Sequence, residues 1–288
     1  MADLERLIER AEQLLMRLEA LAPPLPADPE WDAVAWRWRR RQLAAVKVPH
    51  RIHLSDLCDV DAQKAALLAN TRQFLRGLPA NNVLLTGARG TGKSSLIKAL
   101  LTDLAGEGLR LVEVDKADLT DLPDIADLLR GRPERFILFC DDLSFDADEP
   151  GYKALKVALD GSVAAAADNM LIYATSNRRH LMPEYMSENL ETRYEGDEIR
   201  PGETTEEKIA LSERFGLWLS FYPFSQDAYL DIVRHWLAGF GIRRLTPQAR
   251  QAALQFALQR GSRSGRVAWQ FARDWAGRLG LRRKPGDD

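Results

Sequence analysis

Gly87-Ala88-Arg89-Gly90-Thr91-Gly92-Lys93-Ser94 is the stretch on which the reading of this chain turns. It fits the spacing G-x-x-x-x-G-K-[ST], follows the apolar run Val83 to Thr86, and leads into Ser95, Leu96, Ile97 and Leu100 at helical spacing. Strand, glycine-rich loop and helix in that order form a phosphate cradle. Glycines let backbone N–H groups turn inward around the phosphates, and the helix N-terminus adds a partial positive charge. Lys93 brings a mobile ammonium to the β and γ phosphates, and the Ser94 hydroxyl can take a place on Mg²⁺. The expected cradle is Gly87, Ala88, Arg89, Gly90, Thr91, Gly92, Lys93, Ser94 and Ser95.

Around the loop, helices alternate with short β-rich runs at Val83 to Thr86, Arg110 to Val114, Phe136 to Cys140, Leu171 to Thr175 and Leu217 to Phe221. Mostly continuous apolar runs suit strands buried on both faces, so the fold class is an α/β sheet covered on both sides. Phe136-Ile-Leu-Phe-Cys-Asp-Asp142 ends in two carboxylates. Ligand groups gather at the carboxyl ends of strands in such sheets, which puts Asp141 beside the loop as a holder of Mg²⁺. Asp142 is then placed to polarise an attacking water, although two acids ending a strand also suit a loop or a helix cap. After the run Leu171 to Thr175, Asn177 stands where an amide meets the γ phosphate or the water; an Asx turn is the plainer reading of the same residue.

Length and composition agree with this. The chain has 288 residues, 45% hydrophobic and 28% charged, which allows roughly two domains at about 100 to 200 residues each. There is no apolar run of the roughly 18 residues needed to span a bilayer and no secretory leader pattern, so the expectation is a cytoplasmic protein with no membrane partner. Cys58 and Cys140 have no metal-ligand spacing. Three segments are expected: 1–48, a helical extension; 49–224, the α/β core; and 225–288, a small helical domain. The first opens on an amphipathic helix over residues 3–21, closed by Ala22-Pro-Pro-Leu-Pro-Ala27. Trp31, Trp36 and Trp38 beside Arg37, Arg39, Arg40 and Arg41 read either as a short helix packed on the core or as a partner surface. Ser225 and Thr246-Pro247 mark helix starts in the last segment, and Gly261 a helix stop.

Charge divides along the same lines. The segments carry 8 basic and 8 acidic groups, then 20 and 29, then 12 and 5, giving net charges of 0, −9 and +7. The basic end suits nucleic acid, an acidic partner or the acidic middle segment of a neighbouring copy, and it also suits a solvated helical face.

These elements together resemble the AAA+ ATPases over roughly residues 50–280. The loop matches Walker A, Asp141 and Asp142 match Walker B, and Asn177 matches sensor 1. The resemblance implies a five-stranded parallel sheet in the order 5-1-4-3-2 with a C-terminal helical lid. It implies Arg214, in Leu211-Ser-Glu-Arg-Phe-Gly216, as an arginine finger given to a neighbouring subunit, and Arg266 as sensor 2, with Arg263 in reserve. Leu54 to Lys64 looks like the entrance segment bordering adenine. That segment, Ala80 to Leu85, Phe139 to Ser144 and Met182 to Met186 also resemble a bacterial AAA+ group known chiefly as a domain of unknown function.

The implied activity is Mg²⁺-dependent hydrolysis of ATP to ADP by head-to-tail homo-oligomers, ring or filament, acting on a macromolecular partner, nucleic acid among the candidates. The alternative is a nucleotide-gated module binding DNA or protein with little hydrolysis, since Walker B ends Asp-Asp where most members have Asp-Glu. The absence of an Asn-Lys-x-Asp segment disfavours a GTPase, and a small-metabolite kinase leaves Arg214 unexplained. Residues 182–204, with two prolines and two glycines, read as an irregular insertion near the subunit contact.

Overall fold

The structure is a computed structural model that describes residues 28–145, 149–160, 168–178, 193–195, 198–200 and 211–282, together with Arg6 and Arg10. Apart from Arg6 and Arg10, which are helical, the expected helix over residues 3–21 lies outside the described residues, as does most of 182–204.

The chain opens with a hairpin, β1 (Ala35–Arg39) and β2 (Gln42–Ala45), and continues through α1 (Asp61–Leu75), β3 (Val83–Gly87) and α2 (Lys93–Leu104). Then come β4 (Leu109–Glu113), α3 (Leu122–Leu129), β5 (Arg135–Cys140), α4 (Pro150–Asp160) and β6 (Met170–Ser176). A short pair, β7 (Arg193–Glu195) and β8 (Glu198–Arg200), precedes β9 (Leu217–Phe221) and three helices, α5 (Gln226–Gly239), α6 (Pro247–Gln259) and α7 (Gly265–Arg278). The main sheet runs β2-β1-β4-β5-β6-β3-β9. Every pairing in it is parallel except β1 with β2. Its five strands outside the hairpin, β9-β3-β6-β5-β4, run in the order 5-1-4-3-2.

Two expectations are corrected. The sheet has seven strands rather than five, because residues 35–45 form a hairpin on the edge of β4 instead of part of a helical extension. The physical reason is a period-two pattern: Trp36 and Trp38 face one core layer and are buried, while Arg37 and Arg39 between them face outward. Trp36 lies 6.1 Å from Phe136 and 6.0 Å from Trp31, and the Trp38 indole donates to Asp121 at 2.9 Å. The turn, Arg40 and Arg41, holds both residues at positive φ, 51° and 59°. A two-residue hairpin turn demands that backbone, which asparagine and glycine adopt with least strain. Second, the insertion read as irregular contains the antiparallel pair β7–β8.

Two hydrophobic layers sandwich the sheet. Leu85, Ile137 and Phe139 face α2 and the C-terminal helices, while Leu84, Phe136 and Leu138 face α3 and α4. Ser225, Thr246 and Ser264 cap α5, α6 and α7 by accepting from Ala228, Ala249 and Val267 N–H groups at 3.1, 3.2 and 3.3 Å. Each cap satisfies a donor that the first helical turn leaves unpaired.

If the hairpin is an integral part of the core, Trp36→Ala lowers the unfolding free energy by about 3–5 kcal/mol, as expected for truncating a buried Trp. Arg37→Ala, on the opposite face and paired with Glu113 at 2.6 Å, changes it by less than about 1 kcal/mol. Urea denaturation of both variants checks this, and near-equal small losses would contradict it.

Candidate functional site

The parallel strands deliver their carboxyl ends to one rim of the sheet. β3 ends in the glycine loop, β5 in Asp141 and Asp142, and β6 in Ser176 with Asn177 next. Because β3 and β5 both pair with β6, the loop and the acids stand on either side of the strand that carries Thr175.

Two of the loop's glycines, Gly87 and Gly90, meet neighbours that leave no room for a side chain. Gly87 has φ 126°, and a Cβ there would come within 1.9 Å of the Phe221 carbonyl on β9. Gly90 has φ 75°, and a Cβ there would lie 2.8 Å from Ser264 Oγ. The Gly265 N–H donates to the Gly90 carbonyl at 2.9 Å. The N-terminus of α7 therefore rests directly on the phosphate loop. Thr91 donates to the Ala88 carbonyl at 2.8 Å and braces the loop from within.

Lys93, the first residue of α2, is buried. Its ammonium donates to the carbonyls of Gly87 at 2.7 Å and Ala88 at 2.8 Å, and to Asn177 Oδ1 at 3.1 Å. All three of its protons are thus engaged, so a phosphate oxygen reaches Lys93 only by exchanging with one of these acceptors. Burial pulls its pKa below the usual lysine value; Asp142 and Asp141 oppose that shift, while Arg89 and Arg266 add to it. The loop consequently gathers three cations, Arg89, Lys93 and Arg266, around one rim.

Opposite them, the Ser94 hydroxyl donates to Asp141 Oδ1 at 2.6 Å. Thr175 Oγ1 donates to the same oxygen at 2.6 Å and accepts from the Asp142 N–H at 2.9 Å. Thr175 is a residue that sequence reasoning missed. Its signal is positional: it is the inward-facing hydroxyl of β6 opposite the two acids, visible only once β5 and β6 are known to be neighbours. The Asn177 amide donates to Asp142 Oδ1, so Lys93, Asn177 and Asp142 form one chain. Asp142 itself sits at φ 53°, a left-handed backbone that costs a non-glycine residue about 1–3 kcal/mol and tends to persist at functional sites. Behind them Cys140 is an inert buried thiol, its pKa pushed up to about 12 by burial and then by Asp141.

Ser94 and Asp141 present hard oxygen donors of the kind that Mg²⁺ takes. No group of three or more His, Cys, Asp or Glu converges on a metal site among the described residues. A divalent ion at Ser94 and Asp141 would therefore need oxygens from a nucleotide or water to complete its shell.

A cavity of 1290 Å³ runs from this rim between the core and the C-terminal helices. Ile52, Leu57, Val60, Ile232, Trp236 and Trp269 form its apolar part, a setting for a flat base. The segment bordering it is fixed at several points. His53 pairs with Asp103 of α2 at 2.6 Å, His235 of α5 approaches Asp56 at 3.3 Å, and Lys64 donates to the Leu57 carbonyl at 2.6 Å.

Gly90, Thr91, Gly92, Lys93, Ser94, Ser95, Arg89, Asp141, Asp142, Asn177 and Arg266 all line that cavity. Arg214 and Arg263 do not. Arg214 precedes β9, whose first residue is level with the start of β3, so it lies toward the opposite end of the sheet from the loop. It pairs with Asp160, the last residue of α4, at 2.5 Å.

The chain is similar to solved structures of Thermotoga maritima RuvB. With the one described as a Holliday junction branch migration motor it shares 15% identity over 77% of this chain and 71% of that one, at a TM-score of 0.39. With a single-residue variant of the same protein it shares 14% identity over the same proportions, at a TM-score of 0.42. Superposition this loose carries no weight for the site, whose features rest on their own geometry. Among curated proteins, none matches the chain significantly. A family profile described as Protein of unknown function (DUF815) matches residues 30–279, taking in the hairpin, the phosphate loop, both acids and the C-terminal helices. The chain belongs to that family.

Proposed function

We propose that this protein is an AAA+ ATPase that binds ATP with Mg²⁺ between a core of residues 49–224 and a helical lid of residues 225–288, and hydrolyses it at a subunit interface. The carrying observation is the convergence of Lys93, Ser94, Asp141, Asp142 and Asn177 on one rim, with Ser94 and Asp141 2.6 Å apart. Few other uses suit a buried lysine under a glycine loop beside a hydroxyl and an acid.

In this reading the loop N–H groups and Lys93 hold the β and γ phosphates. Ser94 and Asp141 hold Mg²⁺, which when bound supplies charge neutralisation across those phosphates. Thr175 fixes both acids: it anchors the Asp141 carboxylate and pins the Asp142 backbone. Asp142 orients the attacking water and Asn177 sets the direction of its carboxylate. Arg266, on the helix resting against Gly90, reports a bound γ phosphate to the lid. Arg214, turned away from its own site, serves the site of a neighbour. Guanidinium suits that task because it stays charged and offers a planar fork of donors. A head-to-tail contact of this type closes into a ring or grows into a filament. The work done on a macromolecular partner is remodelling or loading.

A second reading is favoured by one observation. Asp142 is a short side chain whose carboxylate already accepts from Asn177, and a water-polarising acid so occupied suits a slow, nucleotide-gated binder. Phosphate release under saturating ATP separates the two.

Two outcomes test the main reading. Lys93→Ala abolishes tight ATP binding. In the native protein, affinity falls as pH rises, starting below the ~10.4 of an ordinary lysine, because burial pulls the Lys93 pKa down. A bound triphosphate draws that pKa back up, so ATP binding takes up a proton in the same window; calorimetry in two buffers of different ionisation enthalpy measures it. Lys93→Arg, which stays charged, shows neither effect, and an equal pH slope in that variant would contradict the assignment.

Arg214→Ala leaves ATP affinity within about twofold but removes the rise of specific activity with protein concentration, by about 10³-fold or more if the arginine serves as a finger. Turnover at the native level in that variant would remove Arg214 from the reaction.

A further inference from the structure

A second concavity, separate from the nucleotide cavity, lies on the C-terminal helices. It measures 540 Å³ and is open to solvent. Arg234 comes to it from α5, Arg243 and Arg244 from the α5–α6 turn, and Arg250 from α6, while Leu230 and Leu245 form an apolar floor. Asp227 and Asp231 complete the wall.

The charges in it are not balanced internally. Arg234 is paired with Asp231 one helical turn away. Arg243, Arg244 and Arg250 are exposed, and their side chains have no ion-pair or hydrogen-bond partner among the described residues, although Asp227 stands in the same wall. Folding has therefore brought like charges from two elements together without neutralising them, in a segment whose net charge is +7. Such a cluster is self-repelling unless an anion is shared between its members.

We propose that this arginine concavity binds the phosphodiester backbone of a nucleic acid strand. Three features favour that ligand. Guanidinium forks match phosphate oxygens in pairs. A nucleic acid backbone carries its charges at fixed intervals, so several arginines are met without ordering a separate flexible side chain for each, as an acidic peptide would require. The floor of Leu230 and Leu245 suits the apolar face of the sugars. Among the described residues no aromatic ring lines the concavity. Recognition on this surface is thus of backbone rather than of stacked bases or sequence. The inference goes beyond the ATPase reading and stands on residues that take no part in it.

Fluorescence anisotropy with the full chain, using labelled oligonucleotides of one length as single-stranded DNA, duplex DNA and single-stranded RNA, tests the proposal. Binding is expected to weaken steeply with salt. Joint substitution Arg243→Gln, Arg244→Gln and Arg250→Gln lowers the slope of log affinity against log salt by roughly two to three, about 0.7–0.9 for each phosphate no longer neutralised. ATP affinity stays unchanged in that variant, so failure here is distinguishable from failure of the ATPase reading. Asp227→Asn, which removes a repelling carboxylate, tightens binding by about twofold to fivefold, a gain that misfolding does not produce. The ranking of the three oligonucleotides identifies the natural source of the backbone. The proposal is overturned by no binding of any of the three, by an unchanged slope in the triple variant, or by a triple variant that alters only self-assembly in light scattering, which would make the concavity a protein contact.

Discussion

One carboxylate oxygen, Asp141 Oδ1, holds this site together. It accepts from Ser94 at the start of α2 and from Thr175 on β6, each at 2.6 Å. Three elements distant in sequence thereby meet at a point. Both hydroxyls satisfy that oxygen without adding charge. The remaining arrangement depends on this junction: Thr175 also fixes the Asp142 backbone, and Asp142 is linked through Asn177 to Lys93. A change in the register of β5 against β6 would separate Asp141 and Asp142 from Thr175 and Asn177.

The second constraint is the contact of α7 with the phosphate loop. Gly90 has no side chain because Ser264 fills the space, and its carbonyl accepts from Gly265. The C-terminal helices are thus seated on the loop by backbone and one short side chain rather than by long ones. Arg266 lies one residue further along the same helix. Asp141 and Asp142 at the strand ends and Arg266 of the final helix line one cavity.

Much of this was legible in the sequence because it is local. The glycine loop, the apolar run ending in Asp141 and Asp142, and the helix starts at Ser225 and Thr246 are each written in a few consecutive residues whose backbone demands are strict. The hairpin at 35–45 was less so. Its alternation of Trp and Arg carries the strand period, but Arg40-Arg41 replaces the Asn-Gly that ordinarily marks such a turn, and arginine's helix propensity points the other way. Thr175 was hidden for a different reason: a hydroxyl in a buried strand has no signature until its neighbour strand is known. The packing of Ser264 on Gly90 and the pairing of Arg214 with Asp160 are likewise products of tertiary structure alone.

The proposed ATPase requires Ser94 and Asp141 to form a divalent-cation site that a bound nucleotide completes. Electron paramagnetic resonance of Mn²⁺ in place of Mg²⁺, titrated with protein in the presence and absence of ATP, tests it most directly. A protein-bound Mn²⁺ signal is expected that requires ATP and disappears in Asp141→Asn while metal-free ATP binding persists. Tight Mn²⁺ binding without ATP, or an unaltered signal in Asp141→Asn, would contradict it.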